Sequence, residues 1–517
     1  MNRKRGITVW MAGVMLLAAL TGCGTQPAAE TGSGSAEEQE AIQADVTAVD
    51  SFSLAYREND SLNPQLCTSA ENKLMLQLCF ESLFQLDDSF TPQAGLCADI
   101  EQNSSKSYTL TVRSGVKFHS GEELTAEDVA YSLNHARERE NSTYQEQLAC
   151  ISSVKYQEDT VHIRLSSAKS LRELEALLDV PIFRKGSDEE DIPDGTGPYQ
   201  MVSSDTGMKL NPFDQWNGGA VGFCGSITLV SVSDSNSAAN LLSSGDISLL
   251  LQPDAENAAA TGSEYTSSVP TTRLHYLGIN CEWEPLDDPD VRTALSMLMD
   301  RDTIVQTCFS GRADAAALPV ASVPDDVDAP EYDKEEALEL LEDAGIYDRD
   351  DDGYLDISKN KPFAVEIIYN VSYGTKGAVL EQYANTLDEV GIQVTVTPLE
   401  FAECQTKLRR ETFQMYYGEY EMTADFDFSS IVSRNGERNF GTYSSSQMEK
   451  ALTALHAAEE DEWEDAQADY LKCFMEETPV IPIAFERSVI ASSAPLPEGF
   501  GPWPHNIFHG IESWSAS

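Results

Sequence analysis

Residues 107–137 read SYTLTVRSGVKFHSGEELTAEDVAYSLNHAR, and this stretch does most to decide the fold. Apolar Tyr108, Leu110 and Val112 alternate with polar residues at its start. A period of two predicts a strand with one buried face. The glycine and polar residues that follow are typical of a turn, so a second element is expected to begin shortly after it.

The second element of this stretch is predicted to be a helix. Thr125 precedes two acidic residues, Glu127 and Asp128, a pattern typical of a capping box in which a hydroxyl accepts from the first backbone amides. The residues at helical spacing behind this cap are apolar: Ala126, Val129, Ala130, Leu133 and Ala136. One buried helix face is therefore expected.

The same stretch has a competing interpretation as a metal or acid–base cluster, formed by His119, Glu122, Glu123, Glu127 and Asp128. Capping and strand-end roles already account for these residue types at these positions. We therefore expect them to be structural.

The net charge of −52 over 517 residues is the most unusual feature of the composition. A surface this acidic repels phosphate backbones, which argues against nucleic acid as a partner and favours cationic ligands. The length allows two or three domains.

The N-terminus is predicted to be a signal peptide over residues 1–22, with a basic Arg3-Lys4-Arg5 and a short apolar run. Residues 20–23, LTGC, resemble the lipobox of bacterial lipoproteins, which implies lipidation of Cys23. Residues 23–44 are small, polar and acidic, and read as a lipidated flexible tether. The expected location is the extracytoplasmic face of the cell membrane, reached through the lipid anchor.

The cysteines form neither a zinc-binding pattern nor a disulfide framework. Apart from Cys23, nine of the ten are scattered with no CxxC or Cys/His spacing. One disulfide is possible and cannot be assigned from spacing. We expect no cofactor and no catalytic metal.

Several segments, in order, carry a resemblance to one family. Residues 110–133, LTVRSGVKFHSGEELTAEDVAYSL, are followed by GTGPY at 195–199, DDPDVRTALSMLMDRDTIV at 287–305 and CFMEETPVIPIAF at 473–485. Together they resemble the family 5 extracellular solute-binding proteins, the peptide-type receptors of ABC importers. Ser114 departs from that pattern, since the family usually has a charged residue there.

The resemblance implies an α/β fold of the type II periplasmic-binding-protein kind, with two lobes, an extra domain, mixed sheets and a hinge. It implies lobe I from residues 45–68, 195–272 and 488–517, an extra domain at 69–194, and lobe II at 273–487. The β-α-β patterns at 226–251 and 362–398 favour the same α/β class.

The resemblance also points to ligand-binding residues. The segment MTADFDFSSIV, residues 422–432, resembles the family segment whose first Asp holds a peptide's α-ammonium, which corresponds to Asp425. Met422 stands where the family often has Trp, and Tyr420 and Asn280 are further candidates for the cleft. A fixed carboxylate in a closing cleft makes a charge-assisted bond to a cation.

An acidic turn at residues 348–353, DRDDDG, resembles the start of an EF-hand loop. Asp348, Asp350 and Asp352 are candidate Ca²⁺ ligands, but the twelfth position is Lys359 instead of the bidentate Glu. At most a structural ion is expected there.

The preferred function is the substrate-binding component of an ABC importer, which captures short peptides and delivers them to the permease transmembrane subunits. It is expected to be a monomer and not an enzyme. One alternative keeps the fold and binds nickel chelate, haem or an oligosaccharide. The other is a surface hydrolase, for which no GxSxG, HExxH or Cys/His pairing is present.

Overall fold

The largest sheet in the described part of the chain is mixed and has eleven strands. The computed structural model describes Val49 and residues 51–205, 207–253, 262–371 and 374–516. The predicted signal peptide, Cys23 and the tether lie outside these described residues.

The strands lie as follows: β1 Phe52–Tyr56, β2 Phe84–Leu86, β3 Pro92–Ala94, β4 Cys97–Ser104, β5 Ser107–Val112, β6 Ile151–Gln157, β7 Thr160–Leu165, β8 Tyr199–Ser204, β9 Gly207–Pro212, β10 Ile227–Ser231, β11 Leu249–Gln252, β12 Tyr265–Ile279, β13 Ala313–Ala315, β14 Asp356–Ser358, β15 Lys361–Pro362, β16 Ala364–Asn370, β17 Gln393–Leu399, β18 Met415–Glu421 and β19 Val480–Ser492.

The helices lie as follows: α1 Ala70–Leu76, α2 Ala126–Glu138, α3 Leu171–Leu177, α4 Ser235–Ser244, α5 Pro289–Met297, α6 Arg301–Cys308, α7 Lys334–Asp343, α8 Gly374–Glu389, α9 Phe401–Arg409, α10 Ser429–Val432, α11 Ser446–Ala457 and α12 Trp463–Glu477.

The large sheet has the order β17-β16-β18-β12-β19-β11-β1-β10-β9-β8, with β13 paired to β19. β1 is parallel to β10 and β11, and β16 is parallel to β17 and β18. The two long antiparallel strands β12 and β19 connect these parallel groups. Their register shifts between Pro270 and Leu274, so the ladder is irregular where the two groups join.

The strand and helix predicted from residues 107–137 are confirmed. β5 alternates partly buried and buried residues and lies inside a four-stranded antiparallel sheet of order β4-β5-β7-β6. Thr125 caps α2 with a complete capping box: its hydroxyl accepts from the Asp128 amide, and the Asp128 carboxylate accepts from the Thr125 amide. The five apolar residues of the predicted face are buried.

The residues of the competing acid–base interpretation make structural contacts. The His119 ring nitrogen Nε2 lies 3.0 Å from the Gly197 carbonyl oxygen, and the Glu127 carboxylate pairs with Lys185 at 2.6 Å. Their geometry fits the structural interpretation.

The loop at residues 195–199 passes extremely close to the end of α1. A Cβ on Gly195 would lie 2.1 Å from the Cys79 carbonyl oxygen, and one on Gly197 would lie 2.6 Å from the Cys79 carbonyl carbon. Only glycine fits such a close approach between two backbones.

The buried side chains fall into separate cores. One lies within the β4–β7 sheet and α2, and draws only on residues 83–182. Two others draw on residues 274–485. A fourth surrounds β1, β10 and β11 and includes Leu74 and Met75 of α1.

Other local contacts hold the C-terminal helices and their connections. Asp300 caps α6 and Asp333 caps α7, while Arg292 donates to the backbone carbonyls of Leu286 and Thr478. The nine cysteines in the described part of the chain are all free. Among the described residues, no helix has the length and apolar character needed to span a membrane.

Candidate functional site

A cavity of about 600 Å³ lies where the 69–194 part of the chain meets residues 274–485, which are called the C-terminal part below. Six carboxylates and one guanidinium contribute to its lining, so the cavity is strongly acidic. Its aromatic residues are Phe90, Phe426 and Trp463. An acidic, aromatic cavity suits a ligand that carries a positive charge on an apolar body.

Asp425 lines this cavity, and its carboxylate is held in a buried cluster of charges. The ammonium nitrogen Nζ of Lys169 lies 2.5 Å from Oδ2 of Asp425 and 2.6 Å from Oδ2 of Asp427. Its distance to Oε1 of Glu173 is 3.5 Å. The side chains of Lys169, Asp425 and Glu173 are 6%, 1% and 5% exposed. We call Lys169 and these three acids the ammonium cage.

The backbone of Lys169 is fixed by the sheet that the 107–137 stretch helps to form. The Lys169 amide donates to the Ser105 carbonyl at 2.9 Å, and the Lys169 carbonyl accepts from the buried Tyr108 hydroxyl. Ser170 follows as the N-cap of α3, with Glu173 completing its capping box. These hydrogen bonds therefore fix the position from which the Lys169 side chain extends.

His456 adds an imidazole to the cage, which is a second cation when it is protonated. Its Nδ1 lies 2.6 Å from Oε1 of Glu173, and its Nε2 lies 3.8 Å from Oδ1 of Asp427. Burial opposes the charged imidazole, but the hydrogen bond and charge of Glu173 prevail and raise the pKa of His456.

The charges in the cage reinforce one another. Burial alone would lower the pKa of Lys169, but the carboxylates of Asp425, Glu173 and Asp427 raise it well above its ordinary value. Burial would raise the pKa of Asp427, but the Lys169 ammonium holds it well below its usual range. Both groups are therefore charged at neutral pH.

The other three predicted cleft residues make contacts within the C-terminal part. Met422 is buried, and its backbone exchanges hydrogen bonds with Thr272. The Tyr420 ring lies 4.7 Å from the Arg438 guanidinium carbon. The Asn280 side-chain amide donates to the carbonyls of Glu411 and Phe413, at 3.2 and 3.0 Å.

The acidic turn brings a different trio together from the one predicted. Carboxylate oxygens of Asp348, Asp350 and Asp356 lie within 4.8 Å of one another. Asp352 instead accepts from the Tyr354 amide at 2.9 Å. The charge of Asp352 raises the pKa of the exposed Asp350.

Two further cavities are of comparable size. One of about 610 Å³ borders the first at Val320 and Ala321. The other, of about 590 Å³, contains Glu81 and Trp216, whose indole nitrogen donates to the Glu81 carboxylate at 3.1 Å. Burial raises the pKa of Glu81.

A mixed α/β fold with these sheets is that of the type II periplasmic binding proteins, as its structural neighbours show and as the sequence predicted. The chain belongs to the bacterial extracellular solute-binding proteins, family 5, because the model of that family's middle region matches residues 91–437. Members of this family are extracytoplasmic substrate-binding proteins of ABC importers, and they are not enzymes. The predicted family and the non-enzymatic class are confirmed.

Curated relatives agree with this membership. The oligopeptide-binding protein AppA of Bacillus subtilis (strain 168) is 26% identical over 363 residues, 65% of this chain and 65% of AppA. The match to AppA therefore covers slightly less than two thirds of that protein's length. The glutathione-binding protein GsiB of Pectobacterium atrosepticum is 26% identical over 483 residues, 87% of this chain and 90% of GsiB.

Solved structures share the fold. The murein tripeptide binding protein MppA, in its unliganded open form, superposes with a TM-score of 0.75 at 16% identity, covering 91% of this chain and 98% of MppA. A nickel ABC transporter protein from Bacillus halodurans gives 0.72 at 20% identity, covering 88% of this chain and 98% of its own. AppA from Bacillus subtilis with a nonapeptide gives 0.57 at 20% identity, covering 91% of this chain and all of AppA.

Lys169, Glu173 and His456 stand in no sequence motif that predicts a binding site. Lys169 and Asp425 are separated by 256 positions, and His456 and Glu173 by 283. The one local signal was the capping box of α3, which explains Glu173 without reference to any partner in the C-terminal part. Only the tertiary structure brings these charges together.

Proposed function

We propose that this protein is the lipid-anchored substrate-binding component of an ABC importer, and that it captures short peptides in the cavity beside Asp425. The observation that carries the proposal is the ammonium cage. Asp425, Asp427 and Glu173 surround a primary ammonium, that of Lys169, with three carboxylates, of which those of Asp425 and Glu173 are almost fully buried. A peptide's N-terminus is the same chemical group, with the same three donors.

The chemistry of the cavity supports a peptide ligand. Carboxylates in a desolvated site bind a cation through charge-assisted hydrogen bonds, which are stronger than neutral ones. The aromatic side chains of Phe90, Phe426 and Trp463 supply apolar surface for side chains of varied shape. Two of the curated relatives are named for binding oligopeptide and glutathione, both of which carry an amine.

Binding is expected to depend on movement between parts of the chain. We infer lobe I at 45–68, 195–272 and 488–517, an extra domain at 69–194 and lobe II at 273–487. The irregular ladder between Pro270 and Leu274 is our candidate for the hinge, because a broken register bends more easily than a continuous one. A ligand then shifts the equilibrium of lobe positions by its differential affinity.

Anchoring and delivery complete the proposal. Lipid on Cys23 would hold the protein at the outer face of the cytoplasmic membrane as a monomer, from which it delivers its ligand to the permease subunits. Mass spectrometry of the intact protein made in its bacterial host tests the anchor. We expect the mass of a diacylglyceryl group on a chain that begins at Cys23, and its loss in C23A; an unmodified N-terminus would refute the anchor.

The peptide assignment is tested by mass spectrometry of the small molecules that leave the purified protein on denaturation. We expect peptides with a free α-amine. A metal chelate, haem or an oligosaccharide at stoichiometric occupancy would overturn the assignment and leave the fold and family unchanged.

A further inference from the structure

The ammonium cage joins two parts of the chain that the cores keep separate. Lys169 and Glu173 belong to the 69–194 part, while Asp425, Asp427 and His456 belong to the C-terminal part. The distance of 2.5 Å between Lys169 and Asp425 therefore measures a contact between those parts.

The rest of this contact is small. Its apolar portion is a cluster of four buried residues with the partly buried Phe426 packed against it, and the rings of Phe90 and Phe426 lie edge to face at 5.0 Å between centroids. Arg172 lies over the Trp463 ring at 4.5 Å. The described contacts between these two parts are therefore largely charged, and they include a further ion pair between Glu146 and Arg438.

The three carboxylates of the ammonium cage are stabilised by a cation between them. Without Lys169, the carboxylates of Asp425, Asp427 and Glu173 would face one another, and among the described ion pairs only those of Glu173 and Asp427 with His456 would remain. Like charges this close strongly oppose joint ionisation. The site therefore favours any ammonium that can enter when Lys169 withdraws.

We propose that Lys169 is a tethered occupant of the ammonium site, and that it competes there with the amine of an incoming ligand. Since its backbone is held by Tyr108 and Ser105, only the flexible stem must move for the site to be vacated. Lys169 would thereby weaken the apparent affinity of the protein for a ligand's amine, because the apparent dissociation constant rises as the share of molecules with a vacant site falls. The competition with peptides rests on the proposed function; the occupancy itself does not.

The occupancy is tested on the full chain with n-butylammonium, which reproduces the lysine stem and its head group. In Lys169→Ala the added amine should raise the thermal midpoint in a saturable way. It should not do so in Lys185→Ala, which loses an exposed ion pair of the same part of the chain, nor in the double variant Lys169→Ala/Asp425→Asn. Equal shifts in all three proteins, or none in Lys169→Ala, would overturn the proposal.

A second variant covers the case in which Lys169→Ala does not fold. Lys169→Met keeps the volume of the stem and removes the charge, and calorimetry compares tetra-alanine with N-acetyl-tetra-alanine on it. The preference for the free amine should rise at least about tenfold over the wild type, since the competitor is gone. A preference no larger than in the wild type would refute the competition. If butylammonium raises the thermal midpoint of Lys169→Ala but tetra-alanine does not bind to Lys169→Met, the tethered occupant is upheld and the peptide assignment is refuted.

Discussion

Lys169 and Asp425 form an ion pair with 2.5 Å between Nζ and Oδ2, across 256 positions of sequence. Lys169 lies between β7 and α3 in the 69–194 part, and its ammonium contacts carboxylates of the C-terminal part. Because both side chains are almost fully buried, the pair contributes to holding those parts together. It also places an ammonium at the position where we propose that a ligand's amine binds.

Removing the cation should destabilise the folded protein. In Lys169→Met the buried carboxylates of Asp425 and Glu173 and the partly buried one of Asp427 lose their main partner. Breaking a buried pair in this way costs about 3–5 kcal/mol of unfolding free energy. Urea denaturation followed by circular dichroism measures it. The matched control, Lys185→Met, breaks an exposed pair and should change the free energy far less; equal losses in the two variants would contradict the buried cage.

Stability should fall as pH rises through the titration of His456. Its pKa is raised in the folded state, because the hydrogen bond to Glu173 outweighs burial. The stabilisation is thus fully present below the ordinary histidine pKa of about 6.5 and is lost as pH rises through the raised value. The groups facing the imidazole are Glu173, Asp427 and Lys169. Thermal midpoints across this range should decline in the wild type, and His456→Gln should flatten that decline.

Glycine is required where the 195–199 loop meets Cys79. In Gly195→Ala the new Cβ would sit 2.1 Å from the Cys79 carbonyl oxygen, a backbone atom that cannot rotate away. We expect a loss of about 1–3 kcal/mol or more, as in other overpacked sites, measured by denaturant unfolding. Gly225→Ala is the control, because nothing lies within 4 Å of its Cβ position. An unchanged Gly195→Ala would mean that the two backbones can separate.

Removal of divalent ions should leave the thermal midpoint unchanged. The acidic turn gathers Asp348, Asp350 and Asp356 but lacks the bidentate Glu of an EF-hand, and position 359 is a lysine. Differential scanning fluorimetry with EDTA and then with excess Ca²⁺ is the measurement. A midpoint that rises with Ca²⁺ in the wild type and not in Asp356→Asn would establish a calcium site.

Local patterns predicted the parts of the fold that local physics determines. The strand at Tyr108 and the cap at Thr125 each follow from residues within a few positions of one another. The family resemblance supplied the class of fold, which no local pattern could have specified.

The contacts of the candidate site were beyond local reasoning. The motif position of Asn280 suggested the cleft, yet its amide binds the Glu411 and Phe413 carbonyls, which approach only in the folded chain. Lys169 precedes a helix cap and has no sequence pattern that indicates Asp425 as its partner. Ion pairs between distant segments, such as that of Lys169 with Asp425, depend on how those segments pack in the folded chain. The periodicity of a single sequence does not report such packing.

The central claim is that Asp425 receives the amine of a peptide, and N-acetylation of the ligand tests it most directly. Isothermal titration calorimetry would compare tetra-alanine with N-acetyl-tetra-alanine on the wild-type protein. A charge-assisted bond is worth about 1.5–3 kcal/mol, and displacing Lys169 offsets part of it in the wild type, so the acetylated peptide should bind more weakly by up to about 10- to 100-fold. Equal affinity for the two peptides would contradict the role proposed for Asp425.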